Sequence, residues 1–234
     1  MTTQRIAKVR DSLATLRQVG LPVGAVIDVG IQDGTPQLIE AFGDLHHTLF
    51  EPVAEFYPTI HKSYAGMAYT LVEAAVSDSD GSLTLKTERK TRGADAISHS
   101  YLVNGDRDGA DFRKVRTVRL DTHFATQPDG RDYFLKIDVE GADVPARILR
   151  GAAGILPRCS AVMIEMTVNT FMERAAILDA AGFDVWDICD LCYYGGCLWQ
   201  VDVLFVRRDL KAANPALGPM GRIPFDGSLW QSGF

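Results

Sequence analysis

The run "GAVIDVG" at residues 24–30 is apolar at successive rather than alternate positions and is bounded by glycines. A strand of that kind has no wet face, so it belongs inside a sheet covered on both sides. The next stretch, "DGTPQLIEAFG", offers Thr35 as N-cap, Pro36 at the first helical position and Gly43 as the stop. The same alternation then repeats. "HHTLFEP" reads as a second strand, with Pro52 opening a short helix "VAEFY" that Pro58 bends or ends, and "YTLVEAAVS" reads as a third strand. "YFLKID" precedes a helix "ADVPARILRG", in which Pro145 is tolerable because it falls in the first turn. "AVMIEM" precedes "TFMERAAILDAAG", and "FDVWDI" and "LWQVDVLFV" close the series. Strands alternating with helices predict an α/β, doubly wound, mostly parallel sheet, with an antiparallel strand near the end. Ile6, Val9, Leu13 and Leu16 line one face of a helix within residues 1–22 that covers this sheet.

Two segments lack a period. "SLTLKT" after Gly81 alternates as a hairpin arm at an edge, but from Thr87 to Arg116 no clear element stands out. Residues 86–119 carry nine Lys/Arg against five Asp/Glu in a chain whose formal charge is −6. A long loop in a compact domain is functional or disordered, so this basic insertion is read as a solvated insertion or a substrate lid. The tail 211–234, with Pro215, Pro219 and Pro224, reads as a surface wrap.

At 234 residues and 47% hydrophobic content, one domain spanning 1–234 is expected. The acidic balance argues against a nucleic-acid partner, whose affinity rests on phosphate neutralisation. No stretch approaches the roughly 20 apolar residues of a membrane span, and the amphipathic N-terminus lacks a signal-peptide core. A soluble, cytoplasmic protein is the expectation. Cys189, Cys192 and Cys197 lie together with no second C-x-x-C and no nearby His. They read as free thiols near a loop rather than zinc ligands.

In a doubly wound sheet, ligands sit outside the carboxyl ends of the strands. The first strand ends in Asp28-Val29-Gly30, and Gly34 follows, a G-x-x-x-G spacing without the middle glycine that admits a pyrophosphate. Glu51 ends the second strand about twenty residues on, where an acid can accept both hydroxyls of a ribose. Asp28 and Glu51 together favour a ligand with positive charge, which points to the sulfonium of S-adenosylmethionine.

These residues, with "VIDVGIQDGT", "LFEPVAEF", "EAAVSDSDGSLTL", "VRLDT" and above all "YFLKIDVEGADVPARILRGA", resemble the FkbM-type family of S-adenosylmethionine-dependent methyltransferases over roughly residues 20–165. Ile31 and Gln32 depart from it, since the family usually shows Ala and Asn there. The resemblance implies a class I methyltransferase fold with a Rossmann-like seven-stranded sheet, and methylation of a hydroxyl oxygen on a sugar, glycolipid or natural product. It implies that Asp28, Gly30 and Gly34 line the methionine end of the cofactor, that Glu51 holds the ribose, and that Ala75, Val76 and Ser77 border the adenine.

Methyl transfer to oxygen needs alignment and removal of the hydroxyl proton. Asp138, at the mouth of its strand, is read as the general base or as the group that orients the acceptor. Alternation puts Lys136, Asp138 and Glu140 on one side, so the lysine can pair with either acid and offset its burial. Glu140 has a structural or an active-site role, and Lys136 reads as structural before catalytic. His99 and His123 are the alternative bases. Asp138, Glu140 and Asp143 leave a divalent metal open without favouring it, Asp143 reading first as a helix cap. The acceptor is expected to be a small molecule or glycan, and the basic segment suits an anionic one. The Trp199 and Trp230 regions offer apolar surface for a homo-oligomer.

Overall fold

The computed structural model describes residues 7–89, 97–103, 105–127 and 132–218, together with 226, 227 and 230. The covering helix α1 (Val9–Gln18) leads to β1 (Ala25–Val29), α2 (Pro36–Phe42), β2 (His46–Phe50), α3 (Tyr57–Ser63) and β3 (Tyr69–Val72). Then come four short-range elements, β4 (Ala75–Val76), β5 (Gly81–Arg89), β6 (Ile97–Val103) and β7 (Phe112–Val118). The second half runs α4 (Leu120–His123), β8 (Tyr133–Ile137), α5 (Val144–Arg150), β9 (Cys159–Thr167), α6 (Phe171–Ala180), β10 (Phe183–Tyr194), β11 (Cys197–Arg207) and α7 (Arg208–Ala213).

The large sheet has seven strands in the order β10-β11-β9-β8-β1-β2-β3. Pairings β1–β2, β2–β3, β1–β8 and β8–β9 are parallel, while β11 runs against both β9 and β10. The sheet is therefore parallel except for β11, as the short turn at Gly195-Gly196 between β10 and β11 requires.

The continuous apolar runs have a direct cause. In β1, β8 and β9, Ile27, Val29, Leu135, Ile137 and Ile164 face one way, onto Ile148 and Leu149 of α5. Val26, Phe134 and Met163 face the other way, onto Leu13 and Leu16 of α1 and Leu38 and Phe42 of α2. With both faces covered, every position needs an apolar side chain. Leu13 and Leu16 are fully buried, so cutting either back to Ala costs about 2–5 kcal/mol.

Several expectations need correcting. The 86–119 segment is not a structureless insertion: β5, β6 and β7 join β4 in a second sheet of order β4-β7-β5-β6. Its alternation is present but short, with Val115 and Thr117 buried between exposed Lys114 and Arg116. The third strand is split, β3 staying in the large sheet while β4 pairs with β7. Pro58 stands in the first turn of α3 and opens it rather than ending a helix. Gly43 follows α2 with right-handed backbone, and a Cβ there would lie 2.5 Å from the Ile39 carbonyl oxygen, so crowding explains the glycine. Asp143 occupies the N-cap position of α5 without a side-chain capping hydrogen bond. The tail begins as structure, since α7 lies in it, a 3-10 turn follows at Pro215–Leu217, and Trp186 Nε1 donates to the Leu217 carbonyl. Most of the tail beyond residue 218 lies outside the described residues. Among the described residues no helix is long and apolar enough to cross a membrane.

Candidate active site

The turn after β1 is closed by its own geometry. Gly30 has φ +81°, and a Cβ there would stand 1.9 Å from the Asp138 carbonyl oxygen, so the backbones of the two strand ends touch only because this residue has no side chain. Gln32 is left-handed too, at φ +45°, and its N–H donates to Glu51 Oε2 at 3.0 Å. The other Glu51 oxygen accepts from the Val53 N–H at 2.9 Å. Glu51 is only 2% exposed, and burial pushes its carboxyl up to about 7 although the two amides pull the other way. Ile31, between these turns, points into the core cluster of Leu49, Val53, Ile60 and Tyr64.

Behind the turn lie the charges that the sequence made expensive. Lys136 Nζ is 3.3 Å from Asp28 Oδ1 and 3.1 Å from Asp138 Oδ2, and it donates to the Gly30 carbonyl at 3.2 Å. Burial alone would lower the lysine, but the charges and hydrogen bonds of Asp28 and Asp138 outweigh it and hold the ammonium above its ordinary range. Asp28 is wholly buried and accepts from the Tyr64 hydroxyl at 3.4 Å.

A cavity of about 550 Å³ opens over these strand ends. One end is walled by Gly30, Gln32, Gly34, Glu51, Ala75 and Val76, the other by Val9, Tyr101, Met163, Asp190 and Asp202, with Asp138 and Glu140 between them. Ser100, Tyr101 and Leu102 come from β6, so the 86–119 segment does reach the site, as a wall of the small sheet. The cavity lining includes Asp33, Glu51, Asp138, Glu140, Asp190 and Asp202 against Lys136. Of the segment's cations, Lys86 pairs with Glu88, Arg113 with Glu55 and Lys114 with Asp106, and residues 90–96 lie outside the described residues. The expectation of an anionic acceptor rests on the segment's charge, whereas the cavity wall among the described residues is mainly acidic.

The expected site residues separate into two groups. Gly30, Gly34, Glu51, Ala75, Val76, Lys136, Asp138 and Glu140 meet in the cavity wall. Asp28 and Ser77 are not in that wall: Asp28 sits behind it under Lys136, and the buried Ser77 hydroxyl donates to Asp78 at 3.2 Å. His123 also lies outside the wall, stacked edge-on against Phe50 with ring centroids 5.1 Å apart, and burial lowers its basicity. His99 pairs with Glu88 in the β5–β6 ladder, and its side chain lies outside the described residues. Asp121 accepts from the Gly154 and Ile155 N–H groups, both at 2.9 Å, and ties α4 to the turn after α5. Cys159 and Cys189 are buried free thiols, and Cys192 and Cys197 exposed ones. Among the described residues no group of three or more His, Cys, Asp or Glu side chains is placed to hold a metal ion.

Sequence reasoning missed Asp190 and Asp202 in the wall and Glu165 beside them. The signal was present, because Glu165 interrupts "AVMIEM" and Asp202 interrupts "LWQVDVLFV", each an acid inside an apolar strand like those in "YFLKIDVEG".

The family model described as the methyltransferase FkbM domain matches residues 20–188. The chain belongs to the FkbM methyltransferase family. That span holds both turns of the cavity wall, the Lys136 cluster and Glu165, while Asp202 lies just beyond it. Among curated protein sequences none matches this FkbM methyltransferase. Solved structures similar to it include the magnesium protoporphyrin IX methyltransferase of Synechocystis PCC 6803 with bound S-adenosylmethionine, at 10% identity and TM-score 0.46, covering 85% of this chain and 77% of that one. The Burkholderia thailandensis 1,6-didemethyltoxoflavin-N1-methyltransferase, with S-adenosylhomocysteine, stands at 14% identity and TM-score 0.46, covering 85% and 77%. A precorrin-6y C5,15-methyltransferase from Geobacter metallireducens stands at 12% identity and TM-score 0.45, covering 88% and 90%. Likenesses this distant carry nothing about acceptor or residue roles.

S-adenosylmethionine is the methyl donor of the FkbM family, and this chain's residues fit it. Gly30 leaves the slot that a Cβ would fill. Glu51 is held in place by two amides, with lone pairs left for ribose hydroxyls. The acidic wall gives the neighbourhood of a cation.

Proposed function

We propose that this chain methylates a hydroxyl oxygen of a neutral small molecule or glycan. The observation that carries the reading is the cavity itself, with an amide-held acid beside a glycine turn on one side and, among the described residues, the unpartnered Asp202 carboxylate on the other. When bound, the cofactor supplies an electrophilic methyl group on sulfur. Gly30 and Gly34 leave room for its methionine portion, Glu51 accepts from the ribose hydroxyls, and Ala75 and Val76 border the adenine. Lys136 fixes the Asp138 carboxylate at the mouth of β8, where it accepts a hydrogen bond from the acceptor and orients it. Tyr101 and Leu102, from β6, shield that end from water. Among the described residues of the wall Lys136 is the one cation, and Asp28 and Asp138 take it up, which favours a neutral acceptor over an anionic one.

Isothermal titration with S-adenosylhomocysteine tests the cofactor half of this reading. The expected result is micromolar binding that weakens about tenfold in Glu51→Gln, the size of one hydrogen bond to a charged group. A folded wild-type protein that takes up no S-adenosylhomocysteine would sink the reading. A screen of sugars, glycolipids and polyols for methyl transfer tests the acceptor half, and product on nitrogen alone would overturn the assignment to oxygen.

A further inference from the structure

Three carboxylates stand in one row across the carboxyl-end edge of the sheet. Asp202 of β11 is in register with Glu165 of β9, and Asp138 follows Ile137, which is in register with Ile164. Alternation turns all three to the face that carries Met163 and Leu204, the one α1 covers. Like charges directly opposite each other on neighbouring strands repel, so packing alone would favour an apolar pair here. Two of the three have partners: Asp138 has Lys136, and Glu165 accepts from Gln200 Nε2. Asp202 is half-buried in the cavity wall, with no hydrogen bond or ion pair to its carboxylate among the described residues. A half-buried carboxylate left that way is costly until a ligand or a proton meets it.

We infer that Asp202 is the group that takes the proton from the acceptor hydroxyl, with Glu165 as the positioning residue that shares a proton with it. This rests on the hydroxyl-methylation reading above and goes beyond it by naming the base. In the transfer the hydroxyl proton passes to Asp202, the oxygen uses its electron pair to bond the methyl carbon, and sulfur keeps the pair of the broken carbon–sulfur bond. Asp138 is the weaker base, because protonating it costs its ion pair with Lys136.

The surroundings of Asp202 support the role. It faces Glu165 from β9, Cys189 and Asp190 from β10, Lys136 and Asp138 from the end of β8, and Glu140 from the loop beyond. Asp190 is occupied, by Lys8 at 2.8 Å and by the Val9 N–H at 3.1 Å. Burial first, then the charge of Asp138, raises Asp202 to about 6. Burial, then Asp138 and Glu140, raises Glu165 to about 8, against the pull of Arg174. Near neutral pH the pair holds one proton, mainly on Glu165, and leaves Asp202 ionised beside the cavity. A base that titrates close to the working pH is the effective kind.

Carboxyl carbon NMR of the labelled protein saturated with S-adenosylhomocysteine reads the pair without any acceptor. The expected result, beside the Glu51 carboxyl that titrates at about 7, is two coupled carboxyl titrations around pH 6–8. Asp202→Asn removes the lower one and moves the upper one down because the neighbouring charge is gone, whereas Glu165→Gln removes the upper one and leaves the lower in place. On a hydroxyl acceptor found by the screen, Asp202→Asn lowers kcat by about 10²–10⁴, with S-adenosylhomocysteine affinity within a fewfold. Glu165→Gln, which mimics the protonated acid, stays active and keeps the acidic limb of its pH–rate profile near that of the wild type. Absence of coupled titration between pH 5 and 9, or normal turnover by Asp202→Asn, would overturn the assignment. Failure of S-adenosylhomocysteine to bind the wild type instead marks failure of the methyltransferase reading, so the two outcomes are distinguishable.

Discussion

The two ends of the cavity handle charge in opposite ways. At the glycine-turn end, the protein supplies the partners itself: Lys136 lies between Asp28 and Asp138, and Glu51 is held by the Gln32 and Val53 amides. At the far end, Asp202 has no such partner and Glu165 faces it across the ladder. The difference teaches where preorganisation ends. A site that must hold one invariant cofactor is completed by the fold, whereas a site that must exchange a proton keeps a carboxylate whose charge the fold does not satisfy.

The largest expected effect is at the partnered end. Lys136→Met leaves Asp28 buried without its cation and the exposed Asp138 without its ion pair, and is expected to cost about 3–5 kcal/mol in urea unfolding. A loss under about 1 kcal/mol would show that the lysine and the two aspartates do not balance one another. Gly30→Ala comes next, because the added Cβ needs both a left-handed backbone and the space of the Asp138 carbonyl. It is expected to cost about 2 kcal/mol or more in stability and to weaken S-adenosylhomocysteine binding by at least tenfold. Wild-type affinity in that variant would separate the turn from the cofactor site.

The pH dependence of stability sharpens the contrast. Glu51 at about 7, Glu165 at about 8 and Asp202 at about 6 are acids whose folded values exceed their ordinary ones. In that window the folded state binds more protons than the unfolded chain, so stability falls as pH rises from about 5 to 8. Asp78 and Asp184 are shifted down by Arg147 and Arg208, and their contribution is lost only as pH falls below about 4. Urea midpoints are therefore expected to peak on the acid side of neutrality, with a decline that flattens in Asp202→Asn. A flat profile from pH 5 to 8 in the wild type would contradict the unsatisfied state of the far end. The smallest effect belongs to Asp33→Asn, an exposed wall residue, expected within about 0.5 kcal/mol of wild type in stability.

The large sheet was legible because its burial on both faces forces continuous apolar runs, and the glycine turn and Glu51 because each ends such a run. The small sheet was not, since strands that are half-exposed and carry Lys and Arg resemble a solvated loop. Asp202 and Glu165 sat in plain view as acids inside apolar strands, but they lie 37 residues apart and their pairing depends on the β9–β11 register.

The amino-acid sequence by itself determined the alternation of strands and helices, the turn at Gly30 and the placing of acids at strand ends. These are local consequences of periodicity, backbone freedom and the cost of burying charge. Tertiary structure alone decided which acids share a wall: whether Asp28 faces the cavity or Lys136, and whether Asp202 meets Glu165. Strand order and register set those distances, and both are settled by packing across the whole sheet.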